Sequence, residues 1–403
     1  MQKIYKRAGL GARPQRGVGQ SPTVLTVLEV FVRFFHLSDL HLGKRVKEFS
    51  MLEEQRDVLS QIVEMAKSEG IDAVVVAGDV YDKAMPPVEA TQLLDDFLVA
   101  LNRLGVAIFI IPGNHDNAER MAFGAEFLKI SNVHIGTYVG KFEPLKLEDE
   151  FGEIYLWLLP YLKPSTVRKF FPDKEIGSYT EAISTVLESA EIDQNKRNII
   201  VAHQFITGAK TSESEEFAIG GIDNISGKLF GNFDYVALGH LHRPQNMKSS
   251  KIRYCGTPLK YSLSEIDHVK SVTLVNAREK GDIEISELPL TPKNDMREIV
   301  GTFEELSNSN FGRNDYVSIK LTDEEPNARA KLRLLYPKML SLEMGLGNKA
   351  IEDRTAETLI VLENKTALDL INDFFQGQNG KDMNSEQSEY VKGIFEELRD
   401  ETY

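Results

Sequence analysis

Apolar and polar positions follow two different periods along the chain from Val32 onward. Short apolar runs predict strands at 32–36, 73–77, 107–111, 155–159, 198–202, 235–238 and 271–275. A helical period predicts amphipathic helices, of which the clearest span 51–68 and 88–104. Strands that alternate with helices in this way are typical of an α/β domain.

The first 31 residues differ in composition from the rest of the chain. They contain several Lys and Arg residues and one acidic residue, Glu29. We interpret residues 1–31 as a disordered or wrongly assigned N-terminal extension. A mistaken start site, with Val32 as the natural beginning, is favoured. The alternative is a basic arm for nucleic acid, since Lys and Arg neutralise phosphates.

The rest of the chain is predicted to form three parts. Residues 32–290 hold the main domain, and residues 291–345 hold a small α/β domain that includes a strand at 316–321. The last part, 346–403, is predicted to contain two helices, at 366–375 and 385–399. Two isolated helices bury little apolar surface, so we expect them to dock on a partner.

Composition excludes several classes of protein. With 42% hydrophobic and 27% charged residues, the chain is an ordinary globular protein. It contains no apolar run long enough for a membrane span and no signal peptide, so we expect no membrane association and a location in the cytoplasm. The single cysteine, Cys255, excludes an internal disulfide and a cysteine-based zinc site.

The net charge of -14 argues against a protein that coats nucleic acid through its overall field. A DNA substrate would therefore have to be bound through positive charge that is concentrated at one site. Bound metal cations and a partner subunit are the two sources of positive charge that an acidic chain could use.

Five short polar motifs accompany the predicted strands. They are SDLH (38–41), GDVYD (78–82), GNHD (113–116), AHQ (202–204) and GHLH (239–242). In an open α/β sheet, binding loops gather at the carboxyl ends of the strands, so these motifs are expected to meet at one edge.

The motifs contain seven candidate metal ligands: Asp39, His41, Asp79, Asn114, His203, His240 and His242. Carboxylate, amide and imidazole donors suit manganese, iron or zinc. Seven ligands are too many for one ion with an open position, and two ions that share a bridging carboxylate account for them. Asp79 is the natural bridge. A single motif of this kind is common without metal, but five in order argue against a purely structural explanation, whereas His134 and His268 lie outside the motifs.

The order of the motifs resembles that of the calcineurin-like metallophosphoesterases. Five longer segments, HLSDLHLGK, AGDVYDKAMPP, IIPGNHDNAER, GHLHRPQ and YCGTPLKYSLSE, are similar to the SbcD family within them. These bacterial relatives of the double-strand-break repair nucleases work with an SMC-like ATPase, SbcC. The similarity runs from Val32 close to the C-terminus. It implies a sandwich of β-sheets flanked by helices, a capping domain and C-terminal helices that grip the ATPase.

The resemblance also implies roles for individual residues. One metal would be held by Asp39, His41, Asp79 and His242, and the other by Asp79, Asn114, His203 and His240. His115 matches the family's catalytic histidine, which Asp116 could orient. Where archaeal and eukaryotic relatives carry a second histidine, this chain has Asp82, which could orient the loop. Lys44 and Arg243 are candidate phosphate contacts.

The implied activity is metal-dependent hydrolysis of DNA, with manganese as the favoured metal. It would comprise 3′–5′ exonuclease action on duplex ends and endonuclease action on single strands and hairpins, by a homodimer within a heterotetramer with the SbcC-like ATPase, at the nucleoid.

Two alternatives remain. One is a phosphatase or small-molecule phosphodiesterase of the same fold. The acidic net charge favours it, but the stretch of chain after Gln245 is longer than a minimal phosphatase requires. A non-catalytic scaffold for the ATPase conflicts with the complete ligand set, because buried polar groups are costly.

Overall fold

A computed structural model of the chain describes residues 33–138, 140–215 and 223–344, together with 375–376, 383–384, 387–388 and 390–391. The predicted extension 1–31 lies outside the described residues. So does the predicted C-terminal part, 346–403, apart from these four short pairs.

The strands, in chain order, are β1 Arg33–Leu37, β2 Arg45–Val46, β3 Phe49–Ser50, β4 Ala73–Ala77, β5 Ala107–Ile111, β6 Val133–Ile135, β7 Leu145–Asp149, β8 Gly152–Leu159, β9 Arg197–His203, β10 Phe205–Ile206, β11 Asn224–Ile225, β12 Tyr235–Gly239, β13 Gln245–Asn246, β14 Ile252–Tyr254, β15 Ser271–Ala277, β16 Ile283–Pro289, β17 Met296–Gly301, β18 Tyr316–Leu321 and β19 Met339–Met344. The α-helices are α1 Leu52–Glu69, α2 Val88–Arg103, α3 Ala118–Met121, α4 Ala125–Leu128, α5 Pro164–Arg168, α6 Tyr179–Glu188, α7 Phe303–Asn308 and α8 Ala328–Leu335.

Two six-stranded sheets pack face to face and form the centre of the molecule. One has the order β16-β15-β1-β4-β5-β6 and the other β13-β14-β12-β9-β8-β7. Strand β4 shows how the layers form, because all five of its residues are buried. Val75 faces the second sheet, where it joins a cluster with Ile199 and Tyr235, whereas Val74 and Val76 face helices α1 and α2. This alternation is the two-residue period of a strand, and it confirms the predicted sandwich flanked by helices.

The helices cover the outer faces of the two sheets through apolar stripes. Helix α1 buries Leu59, Ile62 and Ala66 against the first sheet. It ends at Gly70, which takes the left-handed conformation (φ 59°) that favours glycine at a helix C-terminus. Helix α6 covers the second sheet and begins with a capping box between Ser178 and Glu181.

The parallel arrangement of the central strands brings the motifs together. Strands β1, β4 and β5 are mutually parallel neighbours, as are β8, β9, β12 and β14 in the other sheet. Their carboxyl ends therefore lie at one edge of each sheet. The two edges meet, because His203 Nδ1 at the end of β9 lies 2.8 Å from the carbonyl oxygen of Ala77 at the end of β4. His203 is the last residue of β9, one residue beyond the predicted strand.

A separate three-stranded parallel sheet, β17-β18-β19, lies within the predicted 291–345 region. It packs with α7 and α8 around its own core, which includes Val317, Ile319 and Leu332. A second cluster, with Val46, Tyr316 and Leu340 among its members, joins this small sheet to the main sandwich. The boundaries 291 and 345 remain predictions.

None of the described helices is long and apolar enough to cross a membrane.

The small sheet provides a matched test of its core. Leu332 and Leu334 both lie on α8, but Leu332 is 0% exposed and Leu334 is 84% exposed. We expect Leu332→Ala to lower the free energy of unfolding by about 2–5 kcal/mol, because it leaves a cavity. Leu334→Ala, with the same change in helix propensity, should stay within about 0.5 kcal/mol. Denaturant unfolding measures both, and equal losses would contradict the packing of α8.

Candidate metal centre

The first two motif loops are linked through their backbones at the edge of the first sheet. The backbone N–H of Asp39 donates to the carbonyl of Gly78 at 2.9 Å, and that of His41 donates to the carbonyl of Asp79 at 3.0 Å. Asp39, His41 and Asp79 have φ values of 51°, 44° and 50°, in the left-handed region that non-glycine residues seldom adopt. Such strained residues persist where surrounding contacts hold them, and they cluster at functional sites.

One group of donors consists of Asp39, His41 and His242. Their candidate ligand atoms all lie within 4.8 Å of one another, and all three residues are buried. The Nε2 atoms of His41 and His242 are 3.1 Å apart. Two nitrogens that each lie about 2.1 Å from one ion, at right angles, are ~3 Å apart. The separation therefore suits two neighbouring ligands of a single metal.

A second group of donors consists of Asn114, His203 and His240. Asn114 Oδ1 lies 2.9 Å from His203 Nε2 and 3.0 Å from His240 Nδ1. These short distances bring the amide oxygen and two imidazole nitrogens to a common point. The loop after β5 and the ends of β9 and β12 supply them, so both sheets contribute to this group.

Asp79 lies between the two groups. Its Oδ2 is 3.8 Å from His41 Nε2 and 3.3 Å from His203 Nε2. Its Oδ1 accepts a hydrogen bond from the backbone N–H of His115 at 2.9 Å, which fixes the orientation of the carboxylate. A carboxylate in this position could serve one ion on each side, as the sequence predicts.

Hydrogen bonds behind the histidines set their tautomers. His203 Nδ1 lies 2.8 Å from the carbonyl oxygen of Ala77, and His242 Nδ1 lies 3.2 Å from Glu265 Oε1. Both partners are acceptors, so each Nδ1 carries a proton. The Nε2 of His242 then keeps its lone pair, whereas the Nε2 of His203 faces the acceptor oxygens of Asn114 and Asp79 and holds a second proton that a metal ion would displace. This arrangement is typical of histidines that bind metals.

Burial and the attraction between opposite charges set the protonation of these groups. Burial lowers the pKa of His41 and His242 and lowers that of His240 to about 3, which keeps these rings neutral. Burial raises the pKa of Asp39 to about 8. Burial also opposes the charged forms of Asp79 and His203, but their mutual attraction outweighs it, lowering the pKa of Asp79 and raising that of His203 to about 9.

The donors therefore fit divalent metal ions. Imidazoles, an amide oxygen and carboxylates converge. Neutral imidazole and ionised carboxylate are the forms that bind metal, so metal binding would release the protons of Asp39 and His203.

His115 is held beside the two groups. Its Nδ1 lies 2.9 Å from the carbonyl oxygen of Asp82, so Nδ1 is the protonated nitrogen. Its Nε2 lies 3.9 Å from Asp79 Oδ2, and its ring is 4.8 Å from that of His41. Asp116, which is expected to orient the His115 ring, instead binds the backbone of the neighbouring loops. Its carboxylate accepts backbone N–H groups of three residues, at 2.9 to 3.0 Å: Val80, Tyr81 and Gly113.

Three further residues are predicted to support the site: Asp82, Lys44 and Arg243. Asp82 lies behind His41, with Oδ1 3.8 Å from His41 Nδ1, and it also pairs with Lys44 Nζ at 2.7 Å. A phosphate contact by Lys44 would compete with this pair. Arg243 follows His242 and is exposed. The phosphate contacts of Lys44 and Arg243 remain predictions.

Sequence reasoning assigns no role to a set of polar residues that surround His242: Ser214, Glu215, Glu265 and Lys270. Glu265 is the last residue of the YCGTPLKYSLSE segment, and the other three lie outside every motif. Although burial raises the pKa of Glu265, Lys270 and His242 outweigh this effect and hold it below the ordinary value. Glu265 is therefore an ionised acceptor for the His242 ring.

Comparison with known families matches two parts of the chain. The calcineurin-like phosphoesterase family matches residues 32–244, which is more than half of the chain. The family described as the type 5 capsule protein repressor C-terminal domain (SbcD_C) matches residues 292–379. The chain is also 30% identical to the SbcD subunit of the nuclease SbcCD from Staphylococcus epidermidis, over 92% of this chain and 99% of that protein.

Solved structures give weaker similarities. A dimetal phosphatase from Danio rerio shares 13% identity, covers 65% of this chain and 99% of its own, and has a TM-score of 0.37. A protein of Thermus thermophilus also shares 13% identity, covers 64% of this chain and 99% of its own, and has a TM-score of 0.38.

The close approach of Gly113 to Asp79 makes a testable prediction. A Cβ atom at Gly113 would overlap Oδ1 and the backbone nitrogen of Asp79. We therefore expect Gly113→Ala to displace this carboxylate and to lower the metal content measured by plasma mass spectrometry. Gly177→Ala is the control, because the nearest atom to its Cβ is Glu181 Oε2 at 3.6 Å. A Gly113→Ala protein with full metal content would exclude Asp79 from the metal centre.

Proposed function

The chain belongs to the calcineurin-like phosphoesterases and, within them, to the SbcD nuclease subunits, and on this premise we propose that it is a metal-dependent DNA nuclease that works with an SbcC-type ATPase. The observation that carries the proposal is the position of Asp79 Oδ2, which lies between a donor from each group, His41 and His203. Two divalent ions held there would act as Lewis acids on the phosphate and lower the pKa of water.

Manganese is the proposed metal. Carboxylate, amide and imidazole donors without thiolate suit manganese, and they would also admit iron or zinc. The seven predicted ligands, which are Asp39, His41, Asp79, Asn114, His203, His240 and His242, are proposed to divide between two ions with Asp79 shared.

The residues of the chain would contribute to catalysis mainly through His115. With a proton already on Nδ1, the imidazolium form of His115 can donate a second proton from Nε2. We assign this proton to a phosphoryl oxygen or to the leaving 3′ oxygen of the DNA. A donor placed where negative charge develops stabilises the transition state more than the bound substrate.

The proposed substrates and partners follow from the family. The substrates are DNA ends and hairpins, cut by 3′–5′ exonuclease action on duplexes and by endonuclease action on single strands. The region 291–345 is proposed as the capping domain and 346–403 as the part that binds the ATPase. The protein would work in the cytoplasm, at the nucleoid.

An exposed apolar surface supports the proposed homodimer. Phe123, Phe127 and Ile130 are 88%, 79% and 82% exposed, and they lie on and next to the short helices that follow the GNHD loop. Clusters of large exposed apolar side chains mark interaction sites on soluble proteins. We propose that this surface contacts a second copy of the chain.

A nuclease assay tests the function. We expect manganese-dependent cleavage of duplex and hairpin DNA that a chelator abolishes, with no release of phosphate from a phosphopeptide. Release from the phosphopeptide without DNA cleavage would favour a phosphatase. Binding of the ATPase with no hydrolysis of either substrate would favour a scaffold.

Replacement of His115 tests its assigned role. We expect His115→Leu or His115→Ala to lower the rate of single-turnover cleavage at least about a hundredfold, because general acid catalysis contributes a factor of roughly 10² to 10⁴ to the rate. DNA affinity and metal content should stay near wild type, since the assigned role lies in the transition state.

The control for this experiment is His134→Gln. His134 stacks on Phe109 with ring centroids 5.0 Å apart and lies outside the donor groups. Its replacement should leave the cleavage rate per folded molecule unchanged. Loss of metal from the His115 variants would make His115 a ligand or a structural residue, and near-normal cleavage would exclude it from catalysis.

A further inference from the structure

Glu265 and Lys270 form a buried ion pair next to the candidate metal centre. Lys270 Nζ lies 2.5 Å from Glu265 Oε2, and the two side chains are 2% and 0% exposed, respectively. Removing such charges from water is unfavourable, and their attraction offsets this only when further hydrogen bonds satisfy both groups. The further partners of this pair include Thr257 and, above all, His242.

The side chains of Glu265, Lys270 and Glu215 contact His242 at three different groups. Its ring Nδ1 lies 3.2 Å from Glu265 Oε1. Its backbone carbonyl accepts a hydrogen bond from Lys270 Nζ at 2.9 Å. Its backbone N–H donates to Glu215 Oε1 at 2.7 Å. The ring and both backbone polar groups of this one candidate ligand are therefore fixed, whereas the Nδ1 of His203 is held by the neutral carbonyl of Ala77.

Ser214 adds a fourth contact that fixes the tautomer of His242. Its hydroxyl donates to Glu265 Oε1 and lies 2.7 Å from His242 Nδ1. A hydroxyl that donates its hydrogen to the carboxylate accepts from the ring, so the ring proton lies on Nδ1. The lone pair on Nε2 then faces Nε2 of His41, at 3.1 Å.

We propose that Glu265 and Lys270 are positioning residues that hold His242 for one of the two metal ions, the ion shared with Asp39 and His41. The carboxylate raises the donor strength of the ring, and the ammonium group holds the backbone and compensates the charge of Glu265. Loss of such a partner typically weakens metal binding about 10- to 100-fold. This inference rests on the proposed two-ion function.

The test is a titration of the metal-free full-length protein with Mn²⁺, in which free Mn²⁺ is followed by electron paramagnetic resonance. The wild type should bind two ions. Glu265→Gln keeps the size of the side chain and removes its charge, so it should bind one ion as before and the other about 10- to 100-fold more weakly. Ser214→Ala, at a half-buried position, should weaken the binding of the same ion to a smaller extent. This variant tests the proposal if Glu265→Gln does not fold.

The matched control is another buried ion pair, Asp149 with Arg197, whose side chains are 0% and 7% exposed. Arg197 and His203 are at opposite ends of β9, six residues or roughly 20 Å apart. Asp149→Asn should therefore lower the midpoint of unfolding and leave the binding of both ions unchanged.

The outcomes separate the two proposals. A wild type that binds fewer than two ions would overturn the two-ion function, and this inference with it. A wild type that binds two ions, with a folded Glu265→Gln protein that binds both as tightly, would overturn only the role of Glu265. If Glu265→Gln does not fold, tight binding of both ions by Ser214→Ala has the same meaning. Equal weakening of both ions, in the pattern of general destabilisation, would also overturn it.

Discussion

The burial of Asp79 between donors from both sheets is the constraint on which the rest of the structure depends. Asp79 follows β4 of the first sheet, and His203 ends β9 of the second, yet their side-chain atoms lie 3.3 Å apart. This contact requires two sheets that pack face to face with their carboxyl ends at the same edge. The apolar layer between the sheets, with Val75 and Ile199 among its residues, sets that arrangement. A displacement of one sheet along the other would separate the donors within each group, because each group takes donors from both sheets.

Close packing at this edge leaves little room for side chains between the strands. A Cβ atom at Gly239 would overlap the carbonyl oxygen of Ala77, the same oxygen that accepts from His203 Nδ1. Glycine at this position lets β12 approach β4 closely enough for His240 to reach Asn114. The absence of a side chain is therefore part of how the second donor group is assembled.

The distribution of charge suits a local site better than an extended basic surface. The chain has a net charge of -14, so attraction for DNA phosphates has to arise where cations are held. The candidate metal centre is such a place, because burial keeps His41, His240 and His242 neutral and the carboxylates there attract divalent cations. The Glu265–Lys270 pair contributes no net charge, and it can therefore orient His242 without changing the total charge around the ion.

The sequence alone determined the main elements and the candidate ligands of this protein. The predicted strands at 73–77 and 107–111 agree with β4 and β5, and the predicted helix at 88–104 differs from α2 by one residue. These predictions succeed because the period of apolar residues is a local property. The seven candidate ligands could be found for a similar reason, since each lies in a short motif at the end of a strand.

Only the tertiary structure decided the contacts between distant parts of the chain. The role of Asp116 could not be predicted, because its partners on the GDVYD loop, Val80 and Tyr81, lie more than 30 residues away. The support of His242 by Glu265 and Lys270 depends on a buried pair that none of the five polar motifs contains. A buried charge is stabilised by whichever groups surround it in space, and the local sequence does not specify those groups.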